Sequence, residues 1–235
     1  MQTNNKKNIL ISSENSKISK VFAECLNEHN VRYFDVEDLD FSSSNSLEKI
    51  FNNLDLYIHV GYEGFKSKDP MKMIDYHTRL TYDLLFAAGR KNIPRVFSIS
   101  SLELFENYES NLTITENWDT DFSVNKIELL CAHLSENVCK EFARDKVFEV
   151  INLRIGDLFI KNSSYLSKSN LKNNILKLLD FDFAAQEKKN SENIAFISAR
   201  KTGANWINLH LQDTFHGQKY LTTKIQNLFD NKGNS

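Results

Sequence analysis

No glycine occurs before Gly61, and the chain of 235 residues holds only seven glycines and two prolines. The first quarter therefore lacks the residue that lets a backbone approach a phosphate at positive φ, so a glycine-rich phosphate loop is excluded there in any register. No apolar run approaches 18 residues, and MQTNNKKN leads straight into the first apolar run without a signal-peptide core. The expectation is a soluble, unexported chain that neither crosses nor binds a membrane. Three cysteines, Cys25, Cys131 and Cys139, are odd in number, lack C-x-x-C spacing and lie on predicted helix faces. They read as reduced core thiols of a cytoplasmic protein rather than disulfides or a zinc site. A formal charge of −2, with 29 basic against 31 acidic residues, leaves no basic footprint for nucleic acid. His77 and His133 fall on separate predicted helices without a carboxylate motif, so no metal set is expected. Between Glu109 and Ser164 there is no tyrosine at all.

What is present is a globular composition, 41% hydrophobic with 17 Phe and 8 Tyr, long enough for one domain over 1–235. Its core spans 8–160, followed by a reduced region at 161–235 in the place of a substrate cap. The stretch Asn8–Asp35 has an apolar run (Ile9–Ile11), a turn of small residues (Ser12–Ser16), apolar residues at helical spacing (Ile18, Val21, Phe22, Cys25, Leu26) and a second short run ending in Asp35. That is an opening βαβ unit, the place where a Rossmann domain grips a dinucleotide. Laid on G-x-x-G-x-x-G, the turn puts Ser13, Ser16 and Ser19 at the glycine positions. Asp35, about 20 residues past the turn, is placed either to hold an adenosine ribose or to accept hydrogen bonds in a turn. The three serines are placed either to offer hydroxyls to a phosphate at the helix N-terminus or simply to cap the helix.

Further along, a short helix is expected at Ser46–Asn53 and a buried strand in LDLYIHVGYEG at 54–64. A long helix follows at 70–89, opened by Pro70 and closed by Gly89, then a strand in RVFSISS, an irregular stretch at 106–123 and a helix at 124–144. The next strand lies in the first half of VFEVINLRIGDLF. The signal weakens after Lys161, with a short helix at Leu171–Leu179, a strand at Ile194–Ser198 and a C-terminal helix around Tyr220–Phe229. Strands alternating with helices predict an α/β fold with a doubly wound parallel sheet.

In this order the segments resemble the extended short-chain dehydrogenase/reductase family, the NAD-dependent epimerase/dehydratase type, over roughly residues 8–160. LDLYIHVG is similar to D-x-V-I-H-L-A-A, YHTRLTYDLLFAAGRKNIPRVFSISS to N-V-x-G-T-x-N-L-L-x-A-A followed by V-x-x-V-V-x-x-S-S, and LRIGDLF to L-R-P-x-N-V-Y. SENVCKEFAR has the character of the segment after the catalytic lysine. The resemblance implies a Tyr and a Lys four residues on, working with a Ser or Thr in acid/base catalysis. Ser101 matches the serine, whereas the tyrosine position falls at Glu128 and the lysine position at Ala132. His77 stands where the family has an asparagine. A pairing of Glu128 with Ser101 as a new acid/base couple requires the two side chains to meet.

With three glycines, the tyrosine and the lysine all replaced, the sequence reading favours a non-catalytic relative that serves as a binding or partner subunit and takes no NAD(P) in the family's manner. The alternative is an atypical NAD(P)-dependent nucleotide-sugar epimerase, dehydratase or reductase. A small-molecule ligand or a protein partner is open under either reading. The resemblance further implies a homodimer through helices 70–89 and 124–144, with Leu129, Ala132 and His133 on the outer face and Ile127, Leu130, Leu134, Val138 and Phe142 facing inward.

Overall fold

The computed structural model describes residues 6–183 and 205–230. Six strands, β1 (Asn8–Ser12), β2 (Asn30–Phe34), β3 (Leu56–Val60), β4 (Arg95–Ser101), β5 (Glu149–Ile155) and β6 (Trp206–Leu211), form one sheet in the order β2-β1-β3-β4-β5-β6. Every pairing is parallel. The period of two sorts each strand between two cores. Ile9 and Ile11 of β1 pack on one face with Ile18 and Phe22 of α1 (Lys17–Cys25), and with Leu171, Ile175 and Leu178 of α6 (Lys168–Leu179). Leu10 points the other way, toward Leu84 and Ala88 of α4 (Thr81–Arg90) and Cys139 of α5 (Ile127–Arg144). Both faces are covered, as parallel strands require. α2 (Ser44–Ile50) joins the second layer and α7 (Thr223–Asp230) the first.

Three expectations change. The long helix is broken into α3 (Pro70–Asp75), a π-helical turn Tyr76–Leu80, and α4. Asp69 caps α3 by accepting from the Met71 N–H at 2.9 Å. The Thr81 hydroxyl donates to the Tyr76 carbonyl at 2.7 Å within the widened turn, and Tyr76, His77 and Thr81 are all buried there. A π-turn inserts one residue into the helical register, and it is what turns both neighbours, Tyr76 and His77, inward.

The orientation of α5 is corrected too. Leu129 and Ala132, assigned to the outer face, are buried, whereas Ile127, Leu130, Leu134 and Val138 are half-buried. The inward face is partly polar, with Ser135 and Glu136 fully or nearly fully buried, which masks it from a reading of hydrophobic periodicity. Glu136 forms a bidentate ion pair with Arg154 of β5 at 2.9 and 2.8 Å. That pairing makes burial of both charges tolerable. Its carboxyl is held below the usual range against the opposing effect of burial, the guanidinium being the cause.

Finally, β6 was not foreseen. Leu209 and Leu211 join the first core, yet the other face carries Asn208 and His210, which meet Asn152 and the Arg154 region. The strand expected at Ile194–Ser198 lies outside the described residues. Cys25, Cys131 and Cys139 are buried free thiols. No helix among the described residues is long and apolar enough to cross a membrane.

Candidate functional site

Strand order reverses beside β1: β2 lies on one side of it and β3 on the other. Ligands of open parallel sheets bind in the crevice that such a switch opens at the carboxyl ends of the strands. A cleft of about 710 Å³ occupies that place, running from Asp35 past the start of α1 to the ends of β3, β4 and β5.

The first wall is the turn after β1. Ser13 has φ 63°, the left-handed conformation in which a glycine would be relaxed. The Ser16 N–H donates to the Ser13 carbonyl at 2.9 Å, and the Ser16 hydroxyl caps α1 by accepting from Ile18 N–H at 3.2 Å. Ser13 and Ser19 lie beneath the cleft rather than in its lining. The Ser13 hydroxyl meets that of Tyr76 at 3.2 Å, and Ser19, fully buried, donates to the Ser12 carbonyl at 2.8 Å. Ser19 thus clasps α1 to β1 where the glycine pattern relies on bare contact. Ser16, Lys17 and Asp35 face the cleft, and the Asn15 amide donates to Asp35.

The second wall is the loop after β3. Gly61 and Tyr62 donate their N–H groups to the Ile99 carbonyl at 3.0 and 2.9 Å. A Cβ on Gly64 would lie 1.8 Å from the Val60 carbonyl oxygen and 3.2 Å from the Ser13 hydroxyl, so glycine is required where this loop folds down on the β1 turn. The third wall follows β5. A Cβ on Gly156 would meet the Ser164 carbonyl at 1.7 Å, and Asp157 fixes the loop by accepting from Phe159 and Ile160 N–H at 2.8 and 2.9 Å. Phe159 and Ile160 stand exposed at the rim.

Ser101 ends β4 and is nearly buried, its hydroxyl accepting from Glu103 N–H at 3.1 Å. The Tyr62 phenol interacts with the side chains of Ser101 and Glu103. Burial pushes both the Tyr62 phenol and the Glu103 carboxyl above their ordinary values. Glu128 is exposed and Ala132 fully buried, and neither lines the cleft. The couple of Glu128 with Ser101 therefore does not form, because Glu128 lies outside the cleft.

His59 and His77 belong to the core beneath. His59 Nδ1 meets the Tyr57 hydroxyl at 3.0 Å, and His77 Nδ1 meets the Ser135 hydroxyl at 2.9 Å. Burial lowers His59 to about 4 and His77 to about 3, so both are neutral at pH 7. His133 meets the Thr120 hydroxyl at 3.2 Å. Among the described residues no group of His, Cys, Asp and Glu is arranged to hold a metal.

Tyr62, Glu103, Lys17 and Asp157 escaped the sequence reading as site residues. The signal for three of them was their place just past the carboxyl end of a predicted strand; Lys17 needed the helix start to be located.

A model of the NAD dependent epimerase/dehydratase family matches residues 9–176. No curated protein matches significantly. Among solved structures, uronate dehydrogenase from Agrobacterium tumefaciens is similar with a TM-score of 0.70 at 14% identity, over 95% of this chain and 83% of that one. A tyrosine-to-alanine mutant of that enzyme complexed with NAD has a TM-score of 0.69 at 14% identity, over 95% and 83%. UDP-N-acetylglucosamine 4-epimerase from Bacillus cereus has a TM-score of 0.62 at 13% identity, over 96% and 84%. At these identities the likeness is one of fold.

Proposed function

Since this chain belongs to the NAD dependent epimerase/dehydratase family, we propose that it is an atypical NAD-dependent member acting on a nucleotide-linked sugar as an epimerase, dehydratase or reductase. The observation that carries this reading is the single cleft joining Asp35, the start of α1 and Ser101. Membership and the similarity to dehydrogenases and an epimerase favour it over the non-catalytic role expected from the missing glycines.

The residues present fit the adenosine half of the cofactor. Asp35 accepts from ribose hydroxyls, while the α1 N-terminus with Lys17 takes the pyrophosphate over a turn already held left-handed at Ser13. Asp35 and Glu37 together disfavour a 2′-phosphate, so the cofactor is NAD rather than NADP. When bound, the dinucleotide supplies the hydride acceptor. Ser101 is positioned to share a substrate oxygen, and the Phe159 and Ile160 rim narrows access of water. The nicotinamide ribose lacks a lysine at Ala132, so affinity rests on the adenosine end. Buried, reduced thiols suit a cytoplasmic setting.

Thermal unfolding of the full chain with NAD and with NADP tests this. NAD at 100 times its Kd stabilises by about 2.7 kcal/mol, or roughly 5–10 °C, and NADP by clearly less. No shift with either overturns the proposal. One observation favours a second reading, a binding subunit without turnover: neither Glu128 nor Ala132 reaches the cleft. Stabilisation by NAD with no turnover of any nucleotide sugar supports that reading.

A further inference from the structure

We infer that the Ser101 end of the cleft holds a polyhydroxy ring through Glu103 and Tyr62, and turns away the same ring when it carries a carboxylate. This rests on the ligand site proposed above and deepens it by fixing the charge of the substrate and the residues that select it.

The three side chains come from two strand ends that the sheet brings together. Tyr62 leaves β3, and Ser101 and Glu103 leave β4, its neighbour. All three line the cleft, and the phenol interacts with both the Ser101 hydroxyl and the Glu103 carboxylate. A carboxylate has about four lone-pair positions, so those not facing the phenol remain to accept hydroxyl protons from a ligand. Tyr62 and Ser101 orient it, since Ser101 also fixes the backbone of Glu103.

The groups that face Glu103 set the charge preference. Tyr62 comes from the β3 loop, Lys126 from the turn before α5, Glu106 from the end of its own turn, Asp157 from the β5 loop, and the Tyr220 phenol from the segment before α7. The one cation in this set, Lys126, is already paired with Glu106. The lysines in the lining are Lys17, 5.9 Å over the Phe159 ring at the α1 end, and Lys66, paired with Glu63 at 2.9 Å. The cleft is thus polarised, with its cation beside α1, where phosphates go, and carboxylates at the Ser101 end. A hydroxyl arriving there finds an acceptor; a carboxylate finds Glu103 and Asp157 and, among the described residues facing Glu103, no cation other than Lys126, which is paired with Glu106. Glu103 is exposed and Asp157 half-buried at the cleft, so like charges there oppose each other as they do at a protein surface, more strongly than in bulk water.

UDP-glucose and UDP-glucuronate test the assignment, because they differ only in whether C6 is an alcohol or a carboxylate. Calorimetric titration of the full chain is expected to give UDP-glucose an affinity about tenfold tighter. In Glu103→Gln, which keeps the shape and removes the charge, the gap is expected to fall to about threefold or less, mainly through tighter UDP-glucuronate binding. Tyr62→Phe is expected to weaken UDP-glucose while leaving NAD affinity unchanged. UDP-glucuronate binding as tightly as UDP-glucose, an unchanged ratio in Glu103→Gln, or binding of neither sugar overturns the inference. A parallel NAD titration separates the two readings: NAD bound without sugar discrimination refutes this inference alone, and sugar discrimination without NAD binding refutes the cofactor reading alone.

Discussion

Lowering the pH from 7 to 5 is expected to destabilise this fold strongly, through three histidines buried in the neutral form. Burial is the first cause in each case, and it depresses His59 to about 4 and His77 and His210 to about 3. In the unfolded chain each titrates near 6.5. Because the folded values are the depressed ones, the stabilisation is complete above about pH 6.5 and is lost as pH falls toward 4 and 3, while the unfolded chain takes up protons that the native state refuses. Between pH 7 and 5 each histidine costs about 2 kcal/mol, and the three together about 5–6 kcal/mol. That is comparable to the whole stability of an ordinary domain, ~5–15 kcal/mol. Glu103 and Glu116, raised mainly by burial, oppose the trend, since they gain protons in the native state first. Urea unfolding at pH 7, 6 and 5 is expected to show stability falling by about 4 kcal/mol per pH unit near pH 5. His210→Phe, at a site packed edge-on against Phe105 and Tyr220, should remove about a third of that slope. A slope below ~1 kcal/mol per unit, or one unchanged in His210→Phe, would refute the reasoning.

Other expectations follow from particular contacts. Gly64→Ala puts a Cβ 1.8 Å from the Val60 oxygen, so the loop must lift from the β1 turn; a lower melting temperature and loss of NAD-induced stabilisation are the readouts. Glu136→Gln leaves Arg154 buried and uncompensated at a cost of about 3–5 kcal/mol, whereas Glu136→Leu with Arg154→Met should cost far less, as chemical denaturation would record. Tyr82 and Phe86 stand exposed on α4, Tyr82 packed against Phe142 of α5, and Ile127, Leu130, Leu134 and Val138 of α5 are half-buried; we propose that a second copy of the chain covers these apolar residues. Light scattering at micromolar concentration is expected to give a dimer mass, and Phe86→Glu a monomer.

Much of the fold could be read from residue order because parallel strands buried on both faces have to be apolar throughout. LYIHV and RVFSISS stand out for that reason, and β1, β3, β4 and β5 fall where expected. Legibility fails wherever burial is polar. Ser135 and Glu136 face inward on α5 because His77 and Arg154 await them, and no periodicity of apolar residues reports a face built of partners distant in sequence. β6 hides for the same reason, with Asn208 and His210 on its inner side. At the site, Ser16 and Asp35 were found because they occupy the positions of a known phosphate turn, and Ser101 because it matches the serine of the family pattern V-x-x-V-V-x-x-S-S. Tyr62 and Glu103 depend on β3 lying beside β4, which local sequence does not state.

The left-handed turn at Ser13 bears on how freely this chain moves through sequence space. A residue other than glycine held at φ 63° carries strain of about 1–3 kcal/mol. The buried bond between its hydroxyl and that of Tyr76 returns about 1 kcal/mol. Ser13→Gly gives up the second and is relieved of the first, so the exchange is close to neutral or favourable, and melting temperature should barely fall. Ser13→Ala gives up the bond and keeps the strain, so it should be the worst of the three. Serine and glycine at this position are therefore neighbours on nearly level ground, with the Tyr76 hydroxyl serving as the latch that lets a serine stay.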